Sequence, residues 1–216
     1  SLSLPVPSGK PIRFGDVPNA SLKPLDQEAT EALLESMGLE AGKYMLCVGS
    51  VEPRKNHGVL HRAYREMIEK PEAYGLDPSQ PLPKLVVAGG LYGDVGLVHV
   101  FKEDERVSPY VQFVRPSDEE LDALYRNCRF TLMPTLYEGW NLTLPESLSF
   151  NKFCISSDVA PMREIGRDLI EYADPHEPSE WARLIAYYTI DDQALAEREA
   201  RIGRTWRNKP WYATAK

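Results

Sequence analysis

Short apolar runs, none long enough for a helix, recur along this chain and alternate with amphipathic stretches. Residues 44–48, 85–88, 110–113, 130–133, 153–156 and 169–172 read as short buried strands. Helical spacing marks the stretches between them. Ala29, Leu33, Leu34 and Met37 fall on one face of 26–37, and Val59, Leu60, Ala63, Tyr64 and Met67 on one face of 57–69. Further helices are expected over about 94–106, from Ser117 onward with Leu121, Leu124 and Tyr125 inward, and over about 143–150, 179–189 and 191–206. A single helical turn is expected at 160–165. This alternation predicts an α/β fold: a Rossmann-like, doubly wound sheet of about six parallel strands. Ligands on such sheets bind beyond the carboxyl ends of the strands, where the strand order reverses. Two loops, 49–56 and 134–142, follow strands and therefore fall on that edge.

The second of these loops leads into the densest chemistry in the chain. Glu138 and Glu146 lie eight positions apart. Pro134 ends a strand, so Glu138 sits in a strand-to-helix loop and Glu146 in the first turn or so of the helix that follows. A helix N-terminus gathers unpaired N–H groups and the positive end of the dipole, which favours a phosphate. Side chains on a helix lean back toward that end. Four residues at about 1.5 Å each place Glu146 roughly 6 Å from the helix start. A carboxylate there can accept two hydrogen bonds from a vicinal diol, so the spacing suits a sugar nucleotide. Thr143 and Glu146 also fit a capping box, in which Glu146 satisfies only a backbone N–H. Glu138 alone also reads as a solvated loop acid.

Composition narrows the partners. With 216 residues, 43% of them hydrophobic, the chain can build one large domain with a real core. A net charge of −7 gives no general nucleic-acid footprint. An anionic substrate would need a local cluster of cations against that field. Cys47, Cys128 and Cys154 lie in or beside apolar runs at unrelated spacings; they read as reduced, buried thiols and favour the cytoplasm. No run of about 18 apolar residues could span a membrane, and the N-terminus lacks the basic start and apolar core of a signal peptide. Residues 1–25, with five prolines, read as a linker or covering arm, residues 26–206 as the domain and 207–216 as a tail.

The first loop, Gly49-Ser50-Val51-Glu52-Pro53-Arg54-Lys55-Asn56, has one glycine where a dinucleotide fingerprint needs three, and no P-loop Gly-Lys-Ser/Thr follows. Gly89-Gly90-Leu91-Tyr92-Gly93 is glycine-rich but wrongly spaced. What the first loop offers is Arg54-Lys55 just before a helix, a bidentate fork and a point charge that together can neutralise a diphosphate. A solvated basic pair is the plain alternative. His57 and His61 are four apart but lack the context of a metalloprotease motif. With no Asp-x-Asp pair either, no metal site is expected.

Taken in order, several stretches resemble the nucleotide-sugar-binding half of retaining GT-B glycosyltransferases. They are Val48 to Asn56, Ser117-Asp118-Glu119-Glu120-Leu121 with Leu124-Tyr125, Pro134-Thr135-Leu136-Tyr137-Glu138-Gly139-Trp140, Pro161 with Glu164-Ile165-Gly166, and Asp174-Pro175. The resemblance spans about residues 40–206. It implies one half of a GT-B fold, with the active site in a cleft against an N-terminal domain that would carry the acceptor site. It implies that Arg54 and Lys55 hold the donor diphosphate beside the first-loop residues Gly49 and Ser50. Glu138, with the backbone of Gly139, Trp140, Asn141 and Leu142, would face the donor sugar and phosphates. Glu146 would bind the ribose hydroxyls, and Val114 and Arg115 would edge the base.

The activity implied is hexosyl transfer in polysaccharide or lipid-linked glycan synthesis. It would need no metal or cofactor, with a GDP-sugar as the first guess for donor and no turnover by this domain alone. The full protein would act in the cytoplasm, with peripheral contact to the inner face of a membrane. The second loop departs from the family pattern at two positions: Asn141 stands where a second glycine is usual, and Thr143 where a proline is. A side chain at 141 would crowd the sugar or impose a different backbone. Ser50 stands where many members carry an arginine. Two other readings stand beside transfer: a sugar-nucleotide epimerase of the same fold, and a non-catalytic binding domain. Trp206, Trp211 and Tyr212 suit a docking surface for the N-terminal domain, or ordinary packing.

Overall fold

The computed structural model describes residues 24–90, 94–139 and 141–207. The expected arm, Leu91-Tyr92-Gly93, Trp140, Trp211 and Tyr212 thus fall wholly or largely outside the described residues. After helix α1 (Gln27–Ser36), strands and helices alternate: β1 (Tyr44–Val48), α2 (His57–Glu69), β2 (Lys84–Ala88), α3 (Val95–Glu103), β3 (Val111–Val114), α4 (Asp118–Asn127), β4 (Thr131–Met133), α5 (Thr143–Ser149), β5 (Cys154–Ser157), α6 (Ala160–Gly166) and β6 (Glu171–Ala173). Two helices close the domain, α7 (Pro178–Ile190) and α8 (Asp192–Thr205). The six strands form one parallel sheet in the order β3-β2-β1-β4-β5-β6. The order reverses between β1 and β4, which sets the switch point there.

Strand periodicity divides the core between the two faces of the sheet. Met45, Cys47, Leu85 and Val87 join the larger cluster, with Val59, Leu60 and Tyr64 of α2 and Trp181 and Ile185 of α7. Tyr44, Leu46, Val86 and Ala88 turn the other way, toward Leu34 of α1 and Leu124 and Tyr125 of α4. Helices cover both faces, so the Rossmann-like α/β expectation holds. Cys47, Cys128 and Cys154 are free and buried, and burial pushes each thiol up to about 12. No helix among the described residues is long and apolar enough to cross a membrane.

Several boundaries differ from expectation for local reasons. The third strand starts one residue late, because Ser108–Tyr110, with Pro109 inside, forms a 3-10 turn. The helix expected to 106 ends at Glu103, since Asp104 is already extended. Leu169 and Ile170 are core residues but belong to the turn before β6, which shifts that strand to Glu171–Ala173. The single turn expected at 160–165 is a seven-residue helix. Trp206 packs on this domain: its indole N–H donates to Ser149 Oγ at 3.2 Å and its ring lies against the main core.

Candidate functional site

The two loops flanking the switch point are joined to each other. β1 ends at Val48, and Gly49 turns the chain with φ +147°, its N–H donating to Ala88 O at 2.9 Å. The Lys55 chain lies along Gly49, where a Cβ would meet its Cε at 3.5 Å. Behind this turn Gly89 packs so closely that a Cβ there would stand 2.2 Å from Gly49 O. Pro53–Lys55 forms a 3-10 turn that places Arg54 and Lys55 directly before α2. From the other side, Leu136 N–H and the Thr135 hydroxyl both donate to Arg54 O, at 2.8 and 3.1 Å. This backbone seam brings Glu138 over the basic pair.

Glu138 is almost enclosed, its side chain 5% exposed. One carboxylate oxygen lies 2.6 Å from Lys55 Nζ, and the other takes a hydrogen bond from Arg54 Nη1 at 2.9 Å. Arg54 Nε donates to Glu52 at 3.0 Å, and Ser50 Oγ donates to the other oxygen of Glu52. The Ser50 hydroxyl, with Arg54 and Lys55, holds the Glu52 carboxyl below its ordinary range despite some desolvation. Burial works against the Arg54 charge, but Glu138 and Glu52 outweigh it and raise its pKa. Two cations and two carboxylates therefore form one neutral cluster at the switch point. The alternative readings, a solvated loop acid at 138 and a solvated basic pair at 54–55, do not describe these paired side chains.

Just below lies His57, the first residue of α2, 1% exposed. Burial, then Lys55, pulls its imidazole down to about 4, so it is neutral near pH 7. His61 instead faces Asp104, with Nε2 3.1 Å from Oδ2.

Glu146 sits in the first turn of α5, as expected, but the capping box does not form. Its Oε2 accepts from the Tyr125 hydroxyl of α4 at 3.0 Å. Burial raises the Glu146 pKa and the neighbouring Asp118 adds to this, while the Tyr125 hydrogen bond opposes both. The cap comes from Asn141, whose Oδ1 accepts from Leu144 N–H at 2.7 Å and from Thr143 Oγ1 at 3.0 Å. Asn141 is 3% exposed and is not among the positive-φ residues. Its side chain is committed to the first turn of α5. Asn141 and Thr143, both departures from the family pattern, are hydrogen-bonded to each other.

The remaining expected residues are spread along the same edge. Leu142 is half-buried at the start of α5. Gly139 is exposed, and a Cβ there would meet nothing within 4 Å. Val114 ends β3, two strands out from β1, and Arg115 follows it on that edge. Trp140 lies outside the described residues. Sequence reasoning missed Glu52 and Tyr125 as members of the site. The signal for Tyr125 was a phenol on the inner stripe of a helix, where its hydroxyl must find a buried partner. Glu52 carried no such signal.

A parallel sheet with two loops meeting at its switch point defines a doubly wound, Rossmann-like α/β domain. Residues 31–208 match the family model described as "Glycosyl transferases group 1". The chain belongs to that family. It is 26% identical over 177 residues to a D-inositol 3-phosphate glycosyltransferase of Corynebacterium jeikeium (strain K411), covering 78% of this chain and 41% of that protein. It is 30% identical over 141 residues to O-antigen chain mannosyltransferase B of Escherichia coli, covering 62% of this chain and 33% of that protein. Among solved structures it is similar to Anabaena Alr3699/HepE in complex with UDP, with a TM-score of 0.68 at 16% identity, over 82% of this chain and 47% of that one. Sucrose-phosphate synthase from Thermosynechococcus elongatus gives 0.65 at 17% identity, over 90% and 47%. These structures share the fold, and the chain spans less than half the length of each relative.

Proposed function

We propose that this chain is the donor-binding half of a retaining, metal-independent GT-B glycosyltransferase that uses a nucleoside-diphosphate hexose. The observation that carries the reading is the meeting of Arg54, Lys55 and Glu138 at the switch point of the sheet. That edge is where such folds take their ligands. In this proposal the donor diphosphate replaces Glu138 as the partner of Arg54 and Lys55. The freed carboxylate then turns to the sugar, and Glu146 takes the ribose hydroxyls. As the glycosidic bond breaks, negative charge grows on the diphosphate, and the two cations stabilise it more than they stabilise the intact donor. Gly139 leaves open space beside Glu138 for the sugar.

The relatives support this reading. Alr3699/HepE was also solved with UDP-glucose, and the Escherichia coli relative is a mannosyltransferase. We take a GDP-hexose as the donor to try first and a UDP-hexose second, and a growing polysaccharide or lipid-linked glycan as the acceptor. Residues 26–206 would be the donor domain. The acceptor side would be supplied by the part of the relatives that this chain does not span, and the full protein would work at the inner face of a membrane.

Calorimetry with GDP, UDP and ADP tests the reading. One of them should bind, and Arg54→Ala or Lys55→Ala should each weaken it roughly tenfold or more, as expected for a lost charge-assisted bond. If none of the three binds, or both variants bind as the parent does, the donor reading is wrong.

A further inference from the structure

We propose that Tyr125 is a positioning residue for nucleotide recognition, its hydroxyl holding one oxygen of Glu146 so that the other is left for a ribose diol. This rests on the reading of Glu146 as the ribose acceptor.

Tyr125 is 1% exposed and sits in α4, a different helix from Glu146. Its ring is stacked on Phe150, with centroids 4.9 Å apart and planes 10° from parallel. The Arg126 guanidinium covers the Phe150 ring at 5.2 Å. The ring therefore has little freedom, which holds the phenolic oxygen in one place. The oxygen at its end is 3.0 Å from Glu146 Oε2. The hydroxyl engages Oε2 and not Oε1.

A carboxylate offers about four acceptor positions on two oxygens. One donor fixed from a rigid helix selects a single rotamer of an otherwise flexible glutamate. The ordering cost is then met when the protein folds rather than when the ligand arrives. A ribose presents two neighbouring O–H groups that both need acceptors, so it reads the orientation of the carboxylate as well as its charge. A phenol also suits the task because it donates without bringing a charge. A lysine at the same place would bind the carboxylate as an ion pair and compete with the diol.

The experiment uses whichever of GDP, UDP and ADP binds this chain most tightly, together with its 2′,3′-dideoxy analogue. Both are titrated into the parent, Tyr125→Phe, Glu146→Gln and the double variant. Tyr125→Phe should lose roughly three- to tenfold in affinity for the ribonucleotide, the range of one net hydrogen bond, with no change for the dideoxy analogue. In the double variant, loss of the hydroxyl should add nothing to Glu146→Gln.

If Glu146→Gln discriminates between the two ligands but Tyr125→Phe does not, the hydroxyl serves only to join two helices and the positioning role is overturned. Equal weakening of both ligands by Tyr125→Phe overturns it too, because a general loss of structure would act that way. If Glu146→Gln fails to discriminate, the ribose reading falls and this role falls with it. Phe keeps the ring on Phe150, and the dideoxy titration itself reports whether the variant is folded.

Discussion

Lys55 and Glu138 are 83 residues apart in the chain, yet their charged atoms lie 2.6 Å apart on a side chain that is 5% exposed. In the proposed reading the carboxylate occupies the place that a phosphate would take between two cations, so an incoming diphosphate would compete with a resident anion.

Glu138→Gln removes that competition while keeping the shape of the side chain. The variant should bind nucleoside diphosphates more tightly, by roughly three- to tenfold or about 0.7–1.4 kcal/mol. A full-length protein carrying it should lose transfer activity, since the carboxylate proposed to face the sugar is gone. Calorimetry and a transfer assay report the two effects separately. Weaker diphosphate binding by the variant would contradict the exchange of anions.

Asn141 acts through its carboxamide on the first turn of α5. Asn141→Ala should cost about 1 kcal/mol, the usual worth of such a cap, and lower Tm by roughly 2–4 °C in a domain of this size. Asn141→Gly should cost less, because a glycine cap loses only a few tenths of a kcal/mol. Thermal unfolding followed by circular dichroism orders the three proteins.

Glu146 gives a pH dependence. Burial raises its folded-state pKa above the unfolded value of 4.5, so the folded chain holds the proton more tightly. Its contribution to stability is complete below 4.5 and is lost as pH rises through the raised value. Glu146→Gln should therefore gain stability relative to the parent as pH goes from 4 to 7, measured by urea midpoints at each pH. Nucleotide affinity should move in the opposite sense: the parent loses affinity on acidification, starting above the ordinary carboxylate range. A flat affinity profile down to pH 4 would separate Glu146 from the nucleotide.

Gly89 is fixed by a neighbouring backbone rather than by its own φ. A methyl group would meet Gly49 O at 2.2 Å, so Gly89→Ala must push the first loop away from β2. A cost of about 1–3 kcal/mol is expected, together with weaker diphosphate binding because Lys55 lies along the same turn. Chemical denaturation and calorimetry on the one variant measure both.

The sheet was legible in the sequence because strands buried on both faces leave apolar runs too short for a helix, spaced regularly between amphipathic stretches. Its boundaries were less so: Pro109, Asp104 and the apolar Leu169-Ile170 pair act through turn geometry that periodicity does not register. The first-loop cations and Glu138 could be placed on one edge because each follows a strand. Their pairing could not, because it depends on how two loops 80 residues apart meet. Thr143 and Glu146 matched a capping pattern, and the pattern misled. Asn141 lies nearer the helix start and took the amide, while a phenol from another helix took the carboxylate. Local motifs report which contacts are available, and tertiary packing decides between them.

β1 is registered with β2 at five positions but with β4 at one, Leu46 opposite Thr131. Two further backbone bonds, Arg129 N–H to Tyr44 O at 2.7 Å and Leu46 N–H to Phe130 O at 3.1 Å, join the starts of these strands, and the ion pairs of Glu138 act as a clasp across the other end. In the proposed exchange, a ligand that unfastens this clasp leaves the outer strands untouched. Hydrogen exchange should then localise the response to amides of the two facing loops, with the cores of β2 and β5 serving as silent references.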